Sequence, residues 1–101
     1  MYRRELLTII SYYGEQYQID KAIEEMSELT QALIKARQDP DNLTEENVLE
    51  EVADVWVMIE QLKLIFKGQE VVEEYVDYKV SRQMQRIMNE SRQRRKLLKK
   101  S

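Results

Sequence analysis

Glu50-Glu51-Val52-Ala53-Asp54-Val55-Trp56-Val57-Met58-Ile59 (residues 50–59) decides the fold. It belongs to a longer segment, about Glu45 to Phe66. There Val48, Leu49, Val52, Val55, Trp56, Ile59, Leu62 and Ile65 recur at helical spacing and cover much of the circumference. A helix that is apolar on several sides needs neighbours on several sides. One bundle of 101 residues cannot supply them all, so a helix-packed homodimer or higher assembly is expected. Asp54 interrupts this run, and a carboxylate in such surroundings is costly unless something positive compensates it.

Outward from this segment the pattern stays helical. Thr44 is placed to cap the helix, with Glu45 and Glu46 in its first turn, where the helix dipole favours negative charge. Gly68 is expected to end it. Before it, Asp39-Pro40-Asp41-Asn42 marks a turn. Ile19, Ala22, Met26, Leu29, Leu33 and Ala36 predict a helix from about Glu15 to Arg37. A shorter helix, about Tyr2 to Tyr13, ends at Gly14. A fourth, about Gln69 to Leu98, carries Val72, Tyr75, Val76, Val80, Met84 and Ile87. Its apolar pattern fades beyond Met88, where fraying is expected.

Composition agrees with an all-α chain. Hydrophobic residues make up 43% and charged ones 35%, and two Gly with one Pro leave little material for a turn-rich β fold. Cys and His are both absent, which removes disulfides, thiolate and imidazole metal sites, Ser-His-Asp triads and Cys nucleophiles. Any bound metal must be held by oxygen, as Mg²⁺, Mn²⁺ and Ca²⁺ are. The opening Met1-Tyr2-Arg3-Arg4-Glu5 lacks a long apolar core, and no segment would span a bilayer. The expectation is a cytoplasmic protein with no membrane partner. Net charge is −3, but unevenly spread: residues 1–81 hold 18 acids and 8 bases, a net −10, while residues 82–101 hold one acid and 8 bases, a net +7.

Two acidic clusters carry the chemistry, Glu24-Glu25-Met26-Ser27-Glu28 and Glu50-Glu51-Val52-Ala53-Asp54. Each sets carboxylates three residues apart, on one side of its helix. With a turn at Pro40 the two helices become antiparallel neighbours, and Glu25, Glu28, Glu51 and Asp54 can converge between them. Four oxygen donors would suit a hard divalent cation. The competing explanation is a solvated acidic face, which is what a single Glu-Glu-x-x-Glu motif usually is.

The paired motifs Glu-Glu-x-x-Glu-Leu (24–29) and Glu-Glu-x-x-Asp-Val (50–55), joined by a Pro-containing linker, resemble the signature of the MazG-like all-α nucleoside triphosphate pyrophosphohydrolases. That superfamily includes dimeric dUTPases and phosphoribosyl-ATP pyrophosphohydrolases. Gln18-Ile19-Asp20-Lys21-Ala22-Ile23 leads into the first motif and Ala32-Leu33-Ile34-Lys35 follows it, so the similarity spans roughly residues 12–90. The resemblance implies one domain over residues 1–101, a four-helix MazG-like bundle completed by oligomerisation, with a basic, frayed end from about residue 89. It implies that Glu25, Glu28, Glu51 and Asp54 bind Mg²⁺, with Mn²⁺ as a substitute. Glu24 and Glu25 would be catalytic, Glu24 by orienting or deprotonating the attacking water. The reaction would convert a nucleoside triphosphate to monophosphate and pyrophosphate, in a homodimer or homotetramer.

Phosphates need cationic partners from the protein. Lys35 lies seven residues beyond Glu28, and Lys79 and Arg82 sit three apart on the fourth helix, where the resemblance makes them contacts for the distal phosphates. Gln18 is placed to hydrogen-bond a base edge. Core packing is expected of Tyr75, and core or interface packing of Trp56. Two other outcomes remain open on sequence. One is phosphoribosyl-ATP pyrophosphohydrolase or dUTPase activity. The other is a non-catalytic helical module whose basic tail binds nucleic acid, against which stand the acidic body and a tail without interleaved aromatics.

Overall fold

A computed structural model describes residues 2–39 and 45–100. Among these the chain is all-helical, with α1 Arg3–Tyr13, α2 Glu15–Gln38, α3 Glu45–Ile65 and α4 Gln69–Lys100. The turn at Pro40 and the Thr44 cap lie outside the described residues. Among the described residues no helix is long and apolar enough to cross a membrane. The helices fall into two compact units, α1–α3 up to Gly68 and α4 from Gln69.

In the first unit α2 packs chiefly along α3, and α1 rests against both. Gln18 meets Gln61, while Glu25 and Glu28 meet Glu51. Rising numbers on α2 therefore match falling numbers on α3, which makes the pair antiparallel, as expected. The core is small: Leu6 and Ile10 from α1, Ala22 and Ala32 from α2, Val55 and Met58 from α3. Leu6 with Ile10 and Val55 with Met58 are each spaced for one helix face. Alanine at 22 and 32 removes side-chain bulk where α2 is buried, which suits close approach of its backbone to its neighbours.

Backbone chemistry sets the ends. Gly14, at φ 96° and ψ 149°, closes α1 by donating its N–H to Ile10 O at 2.8 Å and opens α2 by accepting from Gln18 N at 3.1 Å. A side chain would strain that positive φ. At the end of α3, Gly68 N donates to Lys63 O at 3.0 Å and Lys67 N to Leu64 O at 3.3 Å. This is the bonding of a Schellman stop. The left-handed residue in it is Lys67, at φ 53°, rather than the glycine expected to end the helix.

Two sequence expectations need correction. Asp54 is exposed rather than sunk in the apolar run, and Trp56, expected in core or interface, is outside the core at 64% exposed. The two lie about 200° apart around α3: Asp54 borders a cleft with Glu25, while Trp56 is on a side that α1 and α2 leave uncovered. Tyr75 is 60% exposed, and α4 has no buried residue at all. Helical backbone continues through the basic segment to Lys100, beyond the point at residue 89 where the apolar pattern fades. Within α4, Arg82 lies over the Tyr78 ring, 5.5 Å from its centroid, as i,i+4 neighbours do.

Candidate functional site

The acids of α2 and α3 face each other. One carboxylate oxygen from each of Glu25, Glu28 and Glu51 falls within 4.8 Å of the others. Helical spacing puts Glu25 and Glu28 on one side of α2, and the antiparallel partner supplies Glu51. Their environments differ. Glu25 is 9% exposed, Glu51 is half-buried and Glu28 is open to solvent. The Oε2 atoms of Glu25 and Glu51 are buried without a hydrogen-bond partner. Burial cost thus falls on Glu25, where sequence placed it on Asp54.

Electrostatics register the crowding. The carboxyl of Glu28 is pushed above the usual Glu value, first by the charge of Glu25, then by lost hydration and by Glu51 and Glu24. Glu51 is raised as well, first by burial, then by Asp54, Glu25 and Glu50. Both shifts have the physical cause expected when like charges share a poorly hydrated site. A proton relieves the repulsion, and so does a cation.

Lys21 is the cation the chain itself provides. Its Nζ lies 3.5 Å from Glu24 Oε2 and 3.5 Å from Glu25 Oε1. Glu24 raises its pKa most, with Glu25 adding to the effect and burial opposing it. Next to these groups a cleft of about 390 Å³ is lined by Tyr13, Tyr17, Gln18, Lys21, Glu25, Asp54, Val57 and Met58. Tyr13 and Tyr17 stack with centroids 5.3 Å apart and planes 16° from parallel. A larger and more open hollow of about 820 Å³ follows α1 alone; it contains no acid and no residue of α2 or α3.

The other expected site residues are distributed as follows. Asp54 lies outside the three-carboxylate group but borders the cleft with Glu25. Glu24 is exposed and tied to Lys21. Gln18 is buried, and its Nε2 donates to Gln61 Oε1 at 2.6 Å. Lys35 is exposed on α2, about 10 Å along the axis from Glu28. Lys79 and Arg82 are exposed on α4. Sequence reasoning missed Lys21, Tyr13, Tyr17 and Gln61. For Lys21 a signal existed, because it precedes Glu24 by three residues and Glu25 by four. For Gln61, 2% exposed inside an apolar helix, there was none.

The donor set suits a hard divalent cation: all oxygen, strongly negative, with two buried oxygens lacking any partner. Compared with known protein families, with curated proteins and with solved structures, the chain matches none.

Proposed function

We propose that the chain is a Mg²⁺-dependent nucleoside triphosphate pyrophosphohydrolase of the MazG-like type, with Mn²⁺ able to substitute. The observation that carries this reading is the meeting of Glu25, Glu28 and Glu51 across α2 and α3, with two buried carboxylate oxygens unsatisfied. The paired acid motifs lend the reaction class by resemblance. On this reading the helices complete a four-helix MazG-like bundle in a cytoplasmic homodimer or homotetramer.

Glu25, Glu28 and Glu51 would hold the ion, with Asp54 completing the set from the rim of the cleft. When bound, Mg²⁺ neutralises phosphate charge and stabilises the charge that builds up at phosphorus. An acid-lined site repels a bare triphosphate, so these carboxylates also select the metal complex of the substrate. Glu24, exposed at the edge of the cluster, accepts a proton from the attacking water. The water oxygen bonds to phosphorus, the bridge between the α- and β-phosphates breaks, and pyrophosphate leaves with the bridge electrons. Tyr13 and Tyr17 offer flat faces at the cleft where a base can stack. Lys35 on α2 is the candidate cation for the phosphates within α1–α3, and the resemblance adds Lys79 and Arg82 for the distal ones.

The test is pyrophosphate release from a panel of ribo- and deoxynucleoside triphosphates, with Mg²⁺ or with EDTA. Monophosphate and pyrophosphate should form only with metal, and Glu28→Gln and Asp54→Ala should each lose at least about a hundredfold in kcat/KM. Full activity in Asp54→Ala sinks the mechanism. Phosphoribosyl-ATP and dUTP belong in the panel, because a strong preference for either would define the base and sugar pocket.

A further inference from the structure

Lys21 stands where the acid cluster opens into the cleft. Its ammonium reaches two carboxylates, at 3.5 Å each, and its side chain is 41% exposed. Glu25 has a side chain only 12% exposed, and while Oε1 faces Lys21, Oε2 is buried with no hydrogen-bond partner. The carboxylate deepest in the site is therefore half-neutralised, by a cation on a flexible four-carbon stem. At 3.5 Å the contact is longer than a strong charge-assisted hydrogen bond, and solvent around the exposed ammonium weakens it further. A divalent ion sharing Glu25 would set two positive charges against the same carboxylate and would repel the ammonium. Freed from Glu25, Lys21 has the cleft beside it, where it already forms part of the wall with Tyr17.

We infer that Lys21 is an exchangeable cation: it holds Glu25 and Glu24 while the acid cluster is free of metal, and a divalent ion displaces it from Glu25 into the adjoining cleft, where it binds the anionic part of the ligand. This rests on reading the acids as a metal site. It assigns Lys21 two partners in succession, so one substitution should move two binding constants in opposite directions.

The experiment is calorimetric titration of the full chain with Mg²⁺, followed by titration of the Mg²⁺-loaded chain with inorganic pyrophosphate. Removing a competing cation should make Lys21→Gln bind Mg²⁺ about two- to fivefold more tightly, the fold-change that an exposed pair is worth. The same variant should bind pyrophosphate more weakly. Lys21→Arg keeps the charge and should stay close to wild type in both. Arg37→Gln removes equal charge about 13 Å along α2 from Glu28 and controls for general field effects; it should leave Mg²⁺ binding unchanged. Mg²⁺ affinity that is unaltered in Lys21→Gln, or raised as much in Arg37→Gln, overturns the exchange. Unaltered pyrophosphate binding overturns the second partner. If wild type itself takes up no Mg²⁺ and its melting temperature does not respond, the metal-site reading has failed, a result distinct from those two.

Discussion

Glu28 and Glu51 keep their protons to higher pH in the folded chain than an ordinary carboxyl does. Across the window between the unfolded and folded values the native state binds more protons, so stability falls as pH rises through it. The effect is absent well below the ordinary carboxyl value and complete above the raised ones. Metal-free protein should therefore melt at progressively lower temperature as pH climbs from that value towards neutrality, so far as these two groups decide it. Saturating Mg²⁺ should remove or reverse the trend, because it favours the ionised site. Thermal melts at several pH values, in EDTA and in Mg²⁺, check this; identical slopes in both would deny that a cation relieves the repulsion. The buried amide pair gives a second prediction at this scale. Gln18→Leu alone strands the amide of Gln61, at a cost of about 1–3 kcal/mol, whereas Gln18→Leu with Gln61→Leu should recover much of the loss. Urea unfolding of the two single variants and the double one measures the coupling. Simple additivity would mean that the 2.6 Å contact contributes nothing.

At the scale of elements, two positive-φ residues make opposite predictions. Gly14→Ala forces a Cβ onto φ 96° and should lower stability by about 1–2 kcal/mol, although nothing lies within 4 Å of the added carbon. Lys67→Gly relieves a left-handed lysine at φ 53° and should raise stability by about 0.5–1 kcal/mol. Chemical denaturation of both variants decides it, and equal signs would contradict the assigned helix ends. These elements also show what could be read in the sequence. Apolar steps of three and four placed all four helices close to their observed bounds, and Gly14 stood where α1 ends. Lys67 was hidden because the neighbouring glycine was the better candidate on propensity. The acid cluster was legible in part, since spacing alone sets Glu25 and Glu28 on one side of α2. Which acid is buried was not legible. Periodicity gives faces, whereas burial depends on which face a neighbouring helix covers. The burial and pairing of Gln18 and Gln61 escaped for a related reason: as polar residues at buried positions they contradict the pattern that locates a core.

For the whole molecule, the question is what covers the apolar surface the chain leaves open. Leu49, Val52, Trp56 and Ile59 recur on α3 at steps of three and four, and all are exposed. On α4, Val72, Val76, Val80, Met84 and Ile87 step by four and three, also exposed. Both have the spacing of helix seams, and contiguous apolar surface of this kind marks association sites. We propose that a second copy, or three further copies, buries these seams, as the bundle reading requires. Each fully buried side chain of this size contributes about 1.5–3 kcal/mol, so a few per protomer outweigh the entropic cost of association. Sedimentation equilibrium should give a dimer or tetramer at tens of micromolar, and Trp56→Asp should shift it towards monomer by about tenfold or more in the dissociation constant. The chain's single Trp reports on the same event, because emission from Trp56 should move to the red as dilution takes the assembly apart. A wild type that stays monomeric at about a hundred micromolar, with red-shifted emission throughout, would leave these seams without a partner of their own kind. The acid site would then have to work within α1–α3, where its three converging carboxylates already reside.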